Sequence, residues 1–420
     1  MSTTLKDKVR RLLLSDHSNL FSGQKMNAHD LENSVRQILD KLAMNEHLNI
    51  TEMERKKLIN ELIDEFIGLG PLEGILRDPS VTEIMINGPK IIYVERAGKT
   101  ELINTTFDNE QQLMYVINKI LSPTRRHVDE TTPYTDVSLE DGSRVNIIIP
   151  PLALDGPTIT IRKFLKEIKS VDDLVNLGTL DKRMADFLVA CVKAKMNIIF
   201  AGATGSGKTT TVNVLSSYIP AEERIITIED TAELHLSQAH VVRLETKQPN
   251  IEGKGEITIR DLFKNSLRMR PGRIILGEIR GSEALDMLQA MCSGHTGAFA
   301  VLHAESPQDV VYRLETMVLT AGIPITLEAI HRQIASAIHL IVQQSQLTDG
   351  TRKVTYITQV NGLSDKQTVL EDIFRYDIDD VSPEGKISGR WVATGANLAN
   401  IFVQKFKKAG IKLPPDIFKQ

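Results

Sequence analysis

Residues 202–209 read Gly202-Ala203-Thr204-Gly205-Ser206-Gly207-Lys208-Thr209, and the interpretation of the whole chain starts from them. Glycines at this spacing let the backbone curl so that successive N–H groups point inward at a phosphate. A strand-like run at residues 197–200 leads into the loop, and a helix-forming run begins at Thr210. This strand–loop–helix context is the one a phosphate-binding loop requires, because the helix N-terminus favours an anion. The sequence therefore predicts that residues 202–210 bind a nucleotide.

The loop also predicts the identity of the ligands. Lys208 is expected to reach the β- and γ-phosphates of ATP, and the Thr209 hydroxyl is expected to ligate Mg²⁺. Both ATP and Mg²⁺ are therefore expected at this loop, and the chain is expected to hydrolyse ATP.

Polar residues follow three of the predicted strands. Glu229 comes after the run at 224–228, Glu278 after 273–276 and His303 after 298–302. Because ligands bind at the carboxyl ends of parallel strands, we expect these side chains to surround the phosphates.

The acidic pair after the 273–276 strand departs from the common pattern. Many ATPases with this loop carry Asp-Glu there, whereas this chain has Gly277-Glu278. With the aspartate absent, Glu278 is assigned to Mg²⁺, partly through water, and Glu229 becomes the candidate that activates the attacking water. This division of roles is a hypothesis.

The pattern of strands and helices predicts the domain organisation. From about residue 181 apolar strands alternate with helices, which indicates an α/β domain of RecA-like type with a mainly parallel sheet. Upstream, short strands broken by turn signals predict an α+β domain. The predicted divisions are a helical and mobile segment (1–60), the α+β domain (61–165), a linker (166–180), the ATPase domain (181–345) and a C-terminal extension packed on it (346–420).

Composition excludes several classes of protein. The hydrophobic fraction is 41% and the charged fraction 25%, which are ordinary values for a globular protein. No run of membrane-spanning length and no signal peptide is apparent, so a cytoplasmic protein is expected. The net charge of −4 argues against a protein that coats nucleic acid, and the two cysteines are interpreted as structural thiols.

The order of motifs resembles that of the secretion-ATPase superfamily of type II and type IV secretion. The phosphate loop is followed by an acidic box at 228–234, by the Gly-Glu strand end at 267–281 and by a histidine box at 294–304. In that superfamily the Gly-Glu form is normal. Stretches at 78–89 and 159–164 further resemble the CpaF-like ATPases of Tad (Flp) pilus assembly, over about residues 60–420.

The resemblance implies a homohexamer at the cytoplasmic face of an inner membrane, in which ATP lies between the N-terminal α+β domain and the RecA-like domain. Arginines of the N-terminal domain reach the phosphates in such relatives, and Arg144 and Arg162 are the matching positions. His303 matches a histidine near the γ-phosphate. Arg268, Arg270 and Arg280 are further candidates for contacts between domains or subunits.

Two hypotheses of function from different classes follow. The first is a motor for pilus assembly, with inner-membrane platform proteins as partners and no stable nucleic acid. A related motor for protein secretion or conjugative transfer would share every catalytic residue. The second class is a RecA-type nucleic-acid motor, which predicts basic pore loops and stimulation by DNA or RNA, and which the net charge of −4 does not favour.

Overall fold

A computed structural model of the chain describes residues 5–16, 27–46, 48, 50–96, 98–124, 126–139, 141–163, 168–250, 253–414 and 416–418. The chain divides into two compact units. The first comprises residues 1–139 and 143–163, and the second comprises residues 140–142 and 164–420.

Three helices form the amino-terminal part of the first unit: α1 (Leu5–Asp16), α2 (Ala28–Glu46) and α3 (Glu52–Phe66). On α2 the apolar residues Leu31, Val35 and Leu39 recur at helical spacing, and all three are fully buried. A capping box formed by Thr51 and Glu54 starts α3 and satisfies backbone N–H groups at its first turn. The segment predicted to be helical therefore has its own apolar core.

The remainder of the first unit is an antiparallel sheet with the strand order β3-β2-β1-β6-β5-β4. A 3₁₀ turn (Gly70–Leu72) and α4 (Glu73–Arg77) lead from α3 into this sheet, and α5 (Glu110–Leu121) joins its core. The strands are β1 (Val81–Asn87), β2 (Ile91–Arg96), β3 (Lys99–Ile103), β4 (Tyr134–Ser138), β5 (Arg144–Ile148) and β6 (Thr158–Arg162).

The second unit is built on one large sheet with the order β15-β14-β13-β12-β7-β11-β10-β8-β9. Strands β7 to β12 pair in parallel with one another, whereas β13, β14 and β15 extend the sheet in antiparallel fashion. These strands are β7 (Ile198–Ala201), β8 (Ile225–Glu229), β9 (Val241–Glu245), β10 (Arg273–Leu276), β11 (Phe299–Leu302), β12 (Leu340–Gln346), β13 (Arg352–Ser364), β14 (Gln367–Val381) and β15 (Ile387–Ala393).

Helices cover both faces of this sheet, so its central strands are largely apolar on both faces. In β7, Ile198 and Phe200 point into one core cluster, and Ile199 and Ala201 point into the other. The helices are α6 (Val171–Asn176), α7 (Lys182–Lys193), α8 (Lys208–Ser216), α9 (Ile259–Ser266), α10 (Glu283–Cys292), α11 (Pro307–Thr320), α12 (Leu327–Ala337) and α13 (Asn400–Lys408). The predicted α/β class, a RecA-like domain with a mainly parallel sheet after an α+β domain, is confirmed.

Two predicted boundaries and the predicted linker coincide with regular structure. The predicted division at 60/61 falls within α3. The described part of the predicted linker at 166–180 contains α6, whose Val171 and Leu174 are buried in the core beside α7 and α8. Residues 164–167 lie outside the described residues. The predicted division at 345/346 falls within β12, and the sheet continues from there into the C-terminal extension.

Candidate active site

The phosphate-binding loop connects β7 directly to α8. Gly207, the last residue before α8, has a φ of 98° and is the N-cap of that helix, with no side chain capping it. The first helical hydrogen bond runs from the Thr211 N–H to the Gly207 carbonyl at 3.0 Å. By helix geometry the first amides of α8 point out of its N-terminus, towards the loop.

Two of the loop glycines lie close to β12. A Cβ on Gly202 would lie 2.1 Å from the Gln344 carbonyl oxygen, and a Cβ on Gly207 would lie 2.7 Å from Gln344 Nε2. A side chain at Gly202 would therefore collide with the backbone of β12, whereas at Gly207 the end of the Gln344 side chain would have to move. Both glycines also have positive φ, at 153° and 98° respectively, so the loop needs glycine for its backbone conformation as well.

The Lys208 side chain, which is expected to bind phosphate, lies across the loop. Its Nζ donates to the Gly202 carbonyl at 3.0 Å and to the Ala203 carbonyl at 2.8 Å, and its side chain is buried. Ser206 is fully buried, and its Oγ has no hydrogen-bond partner. A buried ammonium, a buried orphan hydroxyl and an uncapped helix N-terminus together fit a phosphate group.

Glu229 ends β8 as a buried carboxylic acid. Its Oε1 accepts hydrogen bonds from the backbone N–H groups of Glu233 and Leu234, both at 2.9 Å, whereas its buried Oε2 has no partner. Burial raises the pKa of Glu229 to about 7, although the two amides act in the opposite direction. At neutral pH this carboxyl can therefore both bind and release a proton.

Gly277 explains the departure from the usual Asp-Glu pair. It follows β10, which is the direct neighbour of β8, and its N–H donates to the Ile228 carbonyl at 2.9 Å. A Cβ on residue 277 would lie 2.7 Å from Cγ of Glu229 and 3.3 Å from its Oε1. The Glu229 side chain thus occupies the space that an aspartate at 277 would need.

Glu278 lies in a more exposed and strongly charged cluster. Arg280 approaches its Oε2 at 2.5 Å, and His303 Nε2 lies 3.2 Å from its Oε1. Arg280 also reaches Asp230 at 3.8 Å. Burial lowers the pKa of His303, and the positive charge of Lys208 lowers it further, so the imidazole is neutral at neutral pH. The ends of β8, β10 and β11 and the loop lysine therefore contribute to one electrostatic environment.

Arg144 and Arg162 lie in the first unit, as a cross-strand pair at the adjoining ends of β5 and β6. Arg144 Nε is 3.5 Å from Asp136 Oδ1, and Arg162 is exposed. Their assignment to the phosphates stays a prediction.

Two residues that were not predicted from the sequence support the site: Gln344 contacts α8, and Arg352 contacts the loop. Gln344 Oε1 accepts a hydrogen bond from Thr211 at 2.8 Å, and Arg352 Nε donates to the Gly205 carbonyl at 2.8 Å. The signal that could have found Gln344 is a pair of glutamines, Gln343 and Gln344, that directly follows the apolar run 340–342. A buried polar pair inside a strand needs partners, and functional loops often supply them.

Comparison with known proteins agrees with this geometry. Residues 65–369 match the family described as Type II/IV secretion system protein. The chain belongs to this family. Over 297 residues it is 38% identical to an uncharacterised protein of Methanocaldococcus jannaschii, a match that covers 69% of this chain and 41% of that protein. It therefore spans less than half the length of that archaeal relative.

Two further relatives are matched over most of their own length. The type IV secretion system protein VirB11 of Bartonella henselae is 30% identical over 326 residues, covering 69% of this chain and 91% of that protein. The solved VirB11 ATPase of the Brucella suis type IV secretion system, in complex with sulphate, is 28% identical and covers 69% of this chain and 95% of that chain, with a TM-score of 0.38. The prediction of the type II/IV secretion superfamily is confirmed, and the narrower CpaF-like assignment stays a prediction.

Within the described residues, none of the helices is both long and apolar enough to cross a bilayer.

Proposed function

We propose that the chain hydrolyses ATP and that it uses the energy as a motor in a type II/IV secretion or pilus system. The observation that carries the proposal is the meeting of one phosphate-binding loop with three strand ends. Glu229 is the last residue of β8, and Glu278 and His303 follow β10 and β11. The charge of Lys208 acts on His303 at the same edge of the sheet. Membership of the secretion family supports the same conclusion.

In this proposal the loop residues bind and orient the triphosphate. The amides at the start of α8 and the Lys208 ammonium would neutralise phosphate charge, and Thr209 with Glu278 would hold Mg²⁺, partly through water. Bound Mg²⁺ would supply charge neutralisation between the β- and γ-phosphates. Ala203, Thr204, Ser206 and Thr210 complete the cradle.

Glu229 is assigned as the group that takes the proton of the attacking water. Its pKa of about 7 suits a general base at neutral pH, because the carboxyl is ionised often enough to accept a proton and still releases it afterwards. His303 would hold one oxygen of Glu278 in place. From the family resemblance, Arg144 and Arg162 are proposed to stabilise charge on the transferring phosphate, which can contribute a factor of about 10³–10⁵.

At the level of the assembly, we propose a homohexamer that acts peripherally at the cytoplasmic side of an inner membrane. The favoured process is assembly of a Tad/Flp-type pilus, with inner-membrane platform proteins as partners and extension or retraction as its output. A motor for protein secretion is the second candidate, because the Bartonella henselae relative is named as a type IV secretion system protein.

Hydrolysis is tested by phosphate release from ATP by the full chain and by its Lys208→Ala variant. Release by the wild type alone is the expected result, because Lys208 is the buried cation of the loop. Equal release by both proteins would contradict the site.

The partner is tested by affinity capture with a Glu229→Gln variant held on ATP, with Lys208→Ala as the matched control. Recovery of polytopic inner-membrane proteins by Glu229→Gln alone is expected. Recovery of nucleic acid without membrane proteins would overturn the pilus and secretion proposals in favour of a nucleic-acid motor. Identification of the captured proteins as pilus or secretion components separates the first two candidates.

A further inference from the structure

The strand pair β12–β13 carries polar residues into the back of the phosphate loop. Gln343 and Gln344 end the apolar run of β12 and are 1% and 3% exposed. The pairing of β12 with β13 shifts register between these two residues, which marks a β-bulge. Bulges are over-represented beside active sites because they redirect side chains. This bulge places consecutive glutamine side chains on different parts of the site.

Each glutamine forms a hydrogen bond to a different part of the site. Gln343 Nε2 donates to the carbonyl of Ala304, the residue after His303, at 2.9 Å. Gln344 Oε1 accepts from the Thr211 hydroxyl on α8 at 2.8 Å. Burying an amide is unfavourable unless it is hydrogen-bonded, so these contacts fix β12 against α8 and against the end of β11.

Arg352, the first residue of β13, extends this support to the loop itself. Its Nε donates to the Gly205 carbonyl at 2.8 Å, and its Cδ would lie 3.4 Å from a Cβ on Gly207. A trans peptide is planar with its C=O and N–H on opposite sides. Because Arg352 holds the Gly205 oxygen on one side, the N–H of Ser206 is directed to the other side, towards the Ala203 carbonyl at 3.3 Å within the loop.

We propose that Arg352 is a positioning residue for nucleotide binding, which acts through the Gly205 carbonyl and not through its charge. It holds the Gly205–Ser206 peptide in the orientation in which the Ser206 N–H closes the loop on the Ala203 carbonyl, and in this way keeps the curl of the loop that is to receive the phosphates. The proposal rests on the proposed function, since it concerns the same loop and the same ligand. It assigns a role in the nucleotide site to the C-terminal extension, where the sequence offered none.

Two substitutions separate the hydrogen bond from the charge. Glutamine carries its side-chain nitrogen the same number of bonds from Cα as Nε of arginine, so Arg352→Gln can keep the donor to Gly205 and lose the charge. Arg352→Met has similar length and lacks both. A positioning role predicts that the Gln variant behaves as the wild type and that only the Met variant is impaired.

The experiment is a titration of the full chain and both variants with fluorescent N-methylanthraniloyl-ADP and Mg²⁺, together with thermal unfolding without nucleotide. We expect Arg352→Met to raise Kd about tenfold, the scale of one hydrogen bond to a charged donor. We expect Arg352→Gln to leave Kd near the wild-type value, and all three proteins to unfold at similar temperatures without nucleotide. Should the Met variant be insoluble, Arg352→Ser, which is too short to reach Gly205, replaces it.

The other outcomes are each decisive. If both variants bind equally weakly, the charge of Arg352 is what matters, and the inference is wrong. If the Met variant binds as tightly as the wild type, or if it loses stability without nucleotide in proportion to its loss of binding, Arg352 has no positioning role. If the wild type itself binds no nucleotide, it is the proposed function that fails. A rise in KM for ATP without a fall in kcat in Arg352→Met would support the inference independently.

Discussion

Two neighbouring strands of the second unit end in glutamates with opposite surroundings. At the end of β8, Glu229 is 3% exposed and accepts hydrogen bonds from two backbone amides. At the end of β10, Glu278 is partly exposed and pairs with Arg280 and His303. Carboxylates whose environments differ in this way take different roles in acid–base chemistry. This contrast is the basis of the proposed division of roles, in which the buried Glu229 exchanges a proton and Glu278, beside Arg280, helps to hold Mg²⁺.

The first prediction has the largest effect and concerns Glu229→Gln, which removes the carboxyl group and keeps a side chain of the same shape. In Glu229→Gln the amide oxygen can still accept from Glu233 and Leu234, so the loop after β8 keeps its conformation. We expect kcat to fall by about 10²–10⁴, the usual contribution of a general base, with nucleotide affinity retained. Phosphate release and nucleotide titration measure the two quantities.

The matched control for that prediction is Glu278→Gln. It should raise the Mg²⁺ concentration that gives half-maximal activity, whereas Glu229→Gln should leave that concentration unchanged. If the two variants show the same Mg²⁺ dependence, the division of roles between the two glutamates is wrong.

The second prediction concerns pH, because the pKa of Glu229 is raised from its ordinary 4.5 to about 7 by burial. The folded protein binds this proton more tightly than the unfolded chain does. Its stabilising contribution is therefore complete below pH 4.5 and is lost as pH rises through about 7. A shift of this size corresponds to about 3 kcal/mol in the free energy of unfolding.

Thermal or urea unfolding of the wild type and of Glu229→Gln, at several values between pH 5 and pH 8, measures this loss. The wild type should lose stability relative to the Gln variant as pH rises across this range. All other titrating groups are shared by the two proteins, so parallel curves would show that Glu229 is not held as a buried acid. In the same range kcat of the wild type should fall as pH drops below about 7, because a protonated Glu229 cannot act as a base.

The third prediction tests why the two strand ends differ. Gly277→Ala would place a Cβ 2.7 Å from Cγ of Glu229. We expect overpacking to cost about 1–3 kcal/mol of stability. In a Glu229→Ala background the space is free, so the same substitution should cost much less. A double-mutant cycle of unfolding free energies measures this coupling, and an equal cost in both backgrounds would refute the steric link.

The sequence was sufficient to predict elements whose signals lie within a short stretch of residues. The apolar runs predicted β7, β8, β10 and β11 to within a residue or two, and the glycine spacing predicted the loop, because short buried strands and phosphate loops have local signatures. Strand β12 was missed, since its apolar run turns polar at Gln343 and follows a helix that is also apolar.

Features that depend on contacts between residues distant in sequence could not be predicted from the sequence. The reason for Gly277 becomes visible only once β8 and β10 are known to be adjacent. Thr211 and Gln344 are 133 positions apart, and Gly205 and Arg352 are 147 positions apart. No periodicity in one sequence links residues at such separations. The positions of Glu229 and Glu278 at strand ends and the missing aspartate predicted their roles, and the family resemblance predicted that of His303. None of these signals predicted that the two glutamates have different environments.

The last prediction has the smallest effect and concerns the contact between His303 and Glu278. Its Nε2 lies 3.2 Å from one carboxylate oxygen, while Arg280 keeps the other. His303→Ala should therefore free only one oxygen of Glu278 and lower kcat about tenfold, the scale of one hydrogen bond to a charged acceptor.

His303→Gln is the control, because its side-chain nitrogen can replace Nε2 as a donor. Steady-state hydrolysis should show the Gln variant closer to the wild type than the Ala variant. Equal impairment of both would mean that the imidazole contributes something other than this bond, and Glu278 would then be oriented by Arg280 alone.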